Sequence, residues 1–163
     1  MRQFTLVHEV LGTPRAFLTW FLDDRREEDL YKGALRYGEY TTTEARETDT
    51  VAYRRAVFSR PLDLPGALAK LVGGGHRESQ DGRLDKAAGV WSWKIAPGAL
   101  ADKIRQEGTL RLEPQGTDRT RLISEHEIEA KIFQVGGLFE TSLEKYTRQE
   151  WDRLTAFYGK PHD

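Results

Sequence analysis

The sequence predicts a single α+β domain over residues 1–163, in which a curved antiparallel sheet of six to seven strands wraps a long C-terminal helix. Two patterns lead to this fold class. From residue 37 to residue 132, successive segments repeat an alternation of apolar and polar residues, which is typical of strands. In residues 138–158 the apolar residues recur at three- and four-residue steps, which predicts one long amphipathic helix.

The chain is predicted to begin with one strand and two short helices. In residues 2–10 the apolar positions alternate, which predicts a strand. Thr13 is a good N-cap for a following helix, and Pro14 suits the first helical position because its missing N–H would have no partner there. A second short helix opens at Asp24, whose spacing from Glu27 resembles a capping box.

The middle of the chain predicts the strands of the sheet. Residues 37–46 and 50–59 are separated by a short polar connection, which indicates a hairpin. Residues 61–75 allow a short helix, which the three glycines at 73–75 would end. Further strands are predicted at residues 76–83, 87–96, 104–113 and 118–132, with a loop near 82–86 and a turn at 114–117.

The order of these elements determines how they pack. A half-polar antiparallel sheet must cover its apolar face. The helix predicted at 138–158 is the only element long enough to do so, since about 20 residues give a rod of roughly 30 Å. We therefore expect this helix to lie across the concave side of the sheet, while the two initial helices close one end.

The charge and the apolar segments exclude two classes of partner. With 25 basic and 26 acidic residues the net charge is −1, so the chain has no overall electrostatic preference for nucleic acid or an anionic membrane. No segment approaches the ~20 apolar residues that stable membrane insertion needs, and we expect a cytoplasmic protein.

The residue types also limit the chemistry. The absence of cysteine excludes disulfides, thiolate nucleophiles and cysteine-based zinc sites. His8, His76 and His126 could in principle converge on a metal, but nothing in their spacing requires it. We predict no cofactor and no metal.

Two passages of the chain resemble a known superfamily. They are the late hairpin, Gly108 to Glu113 with Thr120 to Leu122, and the start of the final helix, Val135 to Glu140. Together with the element order they are similar to the START-like (SRPBCC) superfamily, and within it to an uncharacterised bacterial family. The superfamily includes plant pathogenesis-related allergens, polyketide cyclases and steroidogenic lipid-transfer domains. The resemblance implies a helix-grip fold with a cavity between the sheet and the final helix, and it transfers no activity.

The candidate ligand-binding residues are those expected to face that cavity. Trp91 and Trp93 share one strand face and serve either as core packing or as an apolar pocket wall. His126 lies among inward-facing residues of the last strand, as a hydrogen-bonded core residue, a polar anchor or a general acid or base. The final helix would add Phe139, Leu143 and Tyr146.

Two further candidates, Tyr53 and Arg55, depend on which face of strand 50–59 is internal. If their face is internal, Arg55 must pair with a carboxylate or a ligand anion, because a buried charge needs a partner. If the other face is internal, Arg55 is merely solvated. That other face carries Ala52, Ala56 and Phe58.

Three functions fit the sequence. The first is binding or transport of a hydrophobic small molecule, lipid-like or polyketide-like, in the internal cavity. The second is a cyclase or dehydratase in which His126 moves protons and Arg55 or Tyr53 stabilises an enolate-like oxygen. That enzyme needs a second titratable group within hydrogen-bond reach of His126. The third is an interaction module with a filled core, which a cavity smaller than a few water molecules would favour.

Overall fold

A computed structural model describes residues 1–26, 28–72, 77–98 and 100–159. The predicted capping partner Glu27, the three glycines at 73–75 and His76 lie outside the described residues. Seven strands are found in the described part of the chain: β1 Arg2–Leu11, β2 Glu39–Glu47, β3 Val51–Ser59, β4 Glu78–Asp85, β5 Val90–Pro97, β6 Ile104–Gln115 and β7 Arg119–Ala130.

The helical elements lie where the sequence places them. Helix α1 is Pro14–Phe21, α2 is Gly66–Val72 and α3 is Gly136–Tyr158. The Thr13 hydroxyl accepts a hydrogen bond from the backbone N–H of Ala16 at 3.1 Å, so the predicted N-cap is confirmed. The second short helical segment consists of a 3₁₀ turn, Asp24–Arg26, and a π-helix, Glu28–Ala34.

The seven strands form one antiparallel sheet in the order β1-β7-β6-β5-β4-β3-β2. Neighbours in sequence pair with each other from β2 to β7, and β1 returns to pair with β7. The segment with α1, the 3₁₀ turn and the π-helix therefore connects one edge of the sheet to the other. The curved sheet and the long final helix confirm the predicted helix-grip fold.

Helix α3 lies as one continuous rod on the inner side of the sheet. Its first half packs closely on the sheet, where Phe139 and Leu143 join a buried cluster with Ile128 of β7. Its second half contributes Trp151 and Leu154 to the larger core cluster. The two halves thus meet different parts of the sheet.

The inner face of β3 carries Ala56 and Phe58, each 2% exposed. Of the two possible orientations of this strand, the structure therefore has the one in which Ala56 and Phe58 are internal. Tyr53 and Arg55 point to the outer side, where both donate hydrogen bonds to Asp81 of β4, at 2.9 and 2.6 Å. Because their side chains alternate with the buried positions of β3, neither reaches the space between sheet and helix.

Glycines on two strands make room for the central tryptophans. A Cβ atom at Gly82 of β4 would overlap Cζ2 and Cη2 of Trp91, and one at Gly108 of β6 would lie 2.5 Å from Cζ2 of Trp93. Each indole therefore lies flat across a glycine of the neighbouring strand. This close approach sets the position of both rings above the inner face of the sheet.

Candidate functional site

An internal cavity of about 50 Å³, called here the inner cavity, lies between the inner face of the sheet and the second half of α3. This volume holds roughly one to four water molecules. Nine aromatic side chains of the described residues line it: Phe21, Tyr31, Tyr37, Tyr40, Phe58, Trp91, Trp93, His126 and Trp151. The lining is completed by polar residues, chiefly Arg60, Gln80, Gln106, Thr147 and Glu150.

The aromatic rings form two groups on opposite sides of the cavity. On one side Tyr31 and Tyr40 stack with their centroids 3.7 Å apart. On the other side the ring of Trp93 lies 5.9 Å from that of Trp151, and His126 lies edge-on to both, at 5.5 and 5.8 Å. Such packing holds the walls in defined positions and presents large apolar surfaces to the cavity.

A buried polar network connects the sheet to α3 along the cavity. Arg60 donates to both carboxylate oxygens of Glu78, at 2.5 and 2.6 Å, and to Gln106 Oε1 at 3.0 Å. Gln106 in turn donates to the Thr147 hydroxyl at 3.3 Å. All four residues are at least nine-tenths buried. Their hydrogen bonds offset the cost of removing these groups from water.

Glu150 of α3 is the second carboxyl group of the site, and its side chain is partly buried. Tyr37 donates to it at 2.8 Å, and Tyr146 also forms a hydrogen bond to it. Burial raises the pKa of the Glu150 carboxyl, although the nearby Arg60 guanidinium and the two phenols act in the opposite direction. Burial, and to a lesser extent the nearby Glu150 carboxylate, raise the pKa of the Tyr37 phenol. Tyr37 therefore stays a neutral hydrogen-bond donor.

His126 is a neutral core imidazole in this arrangement. Its Nε2 lies 2.8 Å from the Ser124 hydroxyl, and its ring stacks on Phe4 with centroids 4.9 Å apart. Burial lowers its pKa to about 4, with further lowering by Arg148 and His8. Among the described residues no carboxylate is hydrogen-bonded to His126, so the second titratable group that the enzyme hypothesis requires is not found there.

We expect the protein to lose stability between pH 7.5 and pH 5 because the folded state holds His126 neutral. Its pKa is about 4 in the folded state and near 6.5 without the protein environment. Between these two pKa values the unfolded chain binds the proton more readily than the folded protein does. The contribution of His126 to the free energy of unfolding is therefore complete above pH 6.5 and is lost as the pH falls toward 4. The loss amounts to about 2 kcal/mol at pH 5.

Urea unfolding at the two pH values measures this contribution. In His126→Gln the difference in free energy of unfolding between pH 7.5 and pH 5 should shrink by about the same 2 kcal/mol, because glutamine does not titrate. An unchanged pH dependence in the variant would mean that His126 is not the group responsible.

A second space, called here the outer groove, opens to the surface between α1 and the β2–β3 hairpin. It has a volume of about 470 Å³. Trp91 borders both the outer groove and the inner cavity. A small void of about 10 Å³, called here the passage, shares lining residues with each of them, and Leu22, Arg54 and Trp91 form part of its wall. Arg54 donates to the Leu22 carbonyl at 2.5 Å and pairs with Asp24, which ties the end of α1 across this passage.

The structure brings together only part of the site predicted from sequence. Trp91, Trp93 and His126 line the inner cavity, and Tyr146 reaches it indirectly through Glu150. The other candidates lie elsewhere. Phe139 and Leu143 are buried in the separate cluster under the first half of α3, Tyr53 borders the outer groove, and Arg55 lies on the outer face of the sheet.

Sequence reasoning missed most of the polar residues of the site. Arg60 continues the inward series of β3 by two-residue steps from Ala56 and Phe58, so its position could have been found. The other missed residue is Glu150, whose charge favours the solvent side of a helix. It lies seven residues after Leu143, which places it on the inward face at helical spacing.

None of the described helices combines the length and apolar character that crossing a membrane requires. No group of three histidine or acidic side chains in the same part of the chain is arranged to hold a metal ion.

Solved structures with the same fold include proteins of the START-like superfamily. The Zhui aromatase/cyclase from Streptomyces sp. R1128 is 14% identical, with a TM-score of 0.66 over 95% of this chain and 90% of its own. A START superfamily protein from Mycobacterium smegmatis is 12% identical, with a TM-score of 0.63 over 94% of both chains. A truncated norcoclaurine synthase from Thalictrum flavum is 16% identical, with a TM-score of 0.60 over 99% of this chain and 95% of its own.

These similarities establish the fold, and with it the predicted START-like resemblance. They do not transfer an activity, since one fold hosts many functions. No curated protein matches the sequence. The model of one family, described as proteins of unknown function (DUF2505), matches residues 8–160, and the chain belongs to that family.

Proposed function

We propose that the protein binds a hydrophobic small molecule between the sheet and the second half of α3. The observation that carries the proposal is the ring of nine aromatic side chains around the inner cavity, interrupted on one side by buried polar groups. Large apolar walls with a few polar groups are typical of small-molecule sites. Proteins of the same fold include an aromatase/cyclase and a START superfamily protein, which supports a role for this space.

The ligand must enlarge the inner cavity or extend beyond it. At about 50 Å³ the inner cavity is far smaller than the roughly 300 Å³ or more of most ligand pockets. The outer groove of about 470 Å³ lies on the other side of Trp91. A ligand that displaces the Trp91 side chain could therefore occupy both spaces, and burial of its apolar surface would contribute ~25 cal/mol per Å² before ordering costs.

Native mass spectrometry of the protein purified from its own cells tests the proposal. We expect additional hydrophobic mass on the wild-type protein, and loss of that mass in Trp91→Ala, because this change removes the wall shared by both spaces. Phe133→Ala is the control, since Phe133 is 88% exposed and lines neither the inner cavity nor the outer groove. Circular dichroism of Trp91→Ala shows whether the variant remains folded.

Two results would contradict the proposal. One is a wild-type protein that carries no added mass and is not stabilised against heating by a panel of hydrophobic compounds. The other is added mass that persists in a folded Trp91→Ala variant, since the ligand would then lie elsewhere.

The small volume of the inner cavity favours a second candidate, an interaction module with a filled core. In that case the aromatic residues would serve only as packing, and no compound in the panel would raise the melting temperature. The same heating experiment therefore separates the two candidates.

We expect Arg54→Met to bind a neutral fluorophore, N-phenyl-1-naphthylamine, several-fold faster than the wild-type protein. The change removes the hydrogen bond to Leu22 and the ion pair to Asp24, so the passage would open more often. Stopped-flow fluorescence gives the association rate. Arg111→Met, which changes an exposed arginine of β6, should leave the rate unchanged. Equal rates for Arg54→Met and wild type would rule out entry by this passage.

A further inference from the structure

The charges around the inner cavity do not balance, and the missing charge is positive. The Arg60 guanidinium is matched by the Glu78 carboxylate, with two hydrogen bonds of 2.5 and 2.6 Å. His126 is neutral because its pKa is lowered to about 4. Glu150 is hydrogen-bonded to two phenols, and no ion pair to it is found within the described residues. When ionised, it leaves one uncompensated negative charge in the lining.

The aromatic wall beside Glu150 is suited to a cation. This wall consists of Tyr31, Tyr37, Tyr40 and Phe58. Tyr37 donates its hydrogen bond to Glu150, and its ring centroid lies 5.5 Å from those of both Tyr31 and Phe58. The faces of aromatic rings carry negative potential and attract an ammonium group within about 6 Å. The carboxyl group and the aromatic wall thus favour the same sign of charge.

The protein already holds one cation among these rings. The guanidinium carbon of Arg60 lies 5.9 Å from the ring centroid of Phe58 and 5.6 Å from that of Tyr146. Because Glu78 is the ion-pair partner of Arg60, this guanidinium offsets the charge of Glu150 only in part. A second cation in the cavity would complete the balance.

We propose that the ligand of the inner cavity is an organic cation, whose alkylammonium or quaternary ammonium group lies against the aromatic wall and beside the Glu150 carboxylate. This inference rests on the proposed function, since it concerns the ligand of the same cavity. A buried carboxylate needs a partner of opposite charge, and a cationic ligand supplies it. A neutral ligand of the same shape leaves Glu150 either unpaired or protonated.

Choline and 3,3-dimethylbutan-1-ol form a matched pair of probes, because they share a shape and differ in having a charged nitrogen or a neutral carbon. We expect wild-type protein to bind choline at least ~10-fold more tightly, measured by tryptophan fluorescence titration. In Glu150→Gln this preference should fall several-fold, to the part that the aromatic wall alone provides, with the affinity for the alcohol unchanged. Glu144→Gln is the control, since it removes one negative charge from a partly exposed position of the same helix and should keep the preference.

The outcomes separate this inference from the proposed function. Equal affinity for the two probes in the wild-type protein, or a choline preference that is undiminished in Glu150→Gln, overturns the charge assignment. If N-phenyl-1-naphthylamine still binds in either case, the proposal of a hydrophobic binding site is retained and the preference for a cation is rejected. If none of the three probes binds, both proposals fall.

The wild-type protein gives a second test that does not depend on a variant folding. The groups that face Glu150 are Tyr37 before β2, Arg60 after β3, Glu78 of β4 and Tyr146 of α3. Because burial raises the pKa of Glu150, the choline preference should decrease as the pH is lowered from 8 to 5, while the affinity for the alcohol stays constant. A constant preference over this range would overturn the inference.

Discussion

Glu78→Ala is expected to lower the free energy of unfolding by about 3–5 kcal/mol, as measured by urea unfolding. This loss is expected because Arg60, the partner of Glu78, would remain in the buried site. Arg60 and Glu78 are 8% and 3% exposed, and their two hydrogen bonds of 2.5 and 2.6 Å join the end of β3 to the start of β4. Without the Glu78 carboxylate, the guanidinium stays buried and loses the ion pair that holds it, since Gln106 offers only a neutral oxygen and Glu150 is nearby without a hydrogen bond to Arg60.

Two comparison variants show whether the loss comes from the unpaired charge. In Arg60→Met/Glu78→Leu both charges disappear together, so most of the stability should return. Glu39→Ala removes the carboxylate of the exposed Arg77–Glu39 pair and should cost less than about 1 kcal/mol. If Glu78→Ala were no more harmful than Glu39→Ala, the buried pair would not be a major determinant of stability.

The fold could be predicted because each of its large elements repeats a simple period over many residues. The alternation in β7 puts Leu122, Ser124, His126 and Ile128 on one face, and all four are buried. The three- and four-residue steps of α3 likewise bring Leu143, Thr147, Trp151 and Leu154 to the inner side. Such patterns tolerate single exceptions, so the element order and the packing could be read without knowing any contact.

The turns were less predictable, because residues that favour turns also occur within strands when their surroundings permit. Pro114 was expected in a turn, yet it lies in β6 opposite Thr120. Its missing N–H is tolerated because β5 pairs with β6 only as far as Arg111, so one side of Pro114 has no strand beside it. Gly82 was expected at the start of a loop, yet β4 continues to Asp85 because the glycine lies beneath Trp91.

The site was predicted less well than the fold. A polar residue in a strand or helix is normally expected to face the solvent, and the periodic pattern does not show when it faces the core instead. Arg60, directly after β3, and Glu150, in α3, both occupy inward positions, where apolar residues are usual. A single sequence contains no sign that Glu78 forms an ion pair with Arg60 or that Tyr37 donates to Glu150. These pairs connect distant parts of the chain, so the charge balance of the cavity required the three-dimensional arrangement.

The contact between Gly82 and Trp91 leads to the second large effect. Gly82→Ala is expected to destabilise the protein by about 2–3 kcal/mol, because the new methyl group would overlap Cζ2 and Cη2 of the indole and displace a ring that is 2% exposed. The displaced ring would also alter the shared wall of the inner cavity and the outer groove. Gly137→Ala is the control, since a Cβ there meets nothing within 4 Å.

A double-mutant cycle with Trp91→Phe identifies the cause of that loss. The phenyl ring is shorter and lacks the two atoms that the methyl group would meet, so Gly82→Ala in the Trp91→Phe background should change stability by less than about 1 kcal/mol. It could even stabilise the strand, because alanine restricts the unfolded chain more than glycine does. Urea unfolding of the four proteins measures the coupling, which we expect to be about 2 kcal/mol. Equal losses in the two backgrounds would show that the methyl group is excluded by the backbone of β4 and not by the indole, and the position of Trp91 would then have to be set by its other neighbours, Leu84 of β4 and Leu110 of β6.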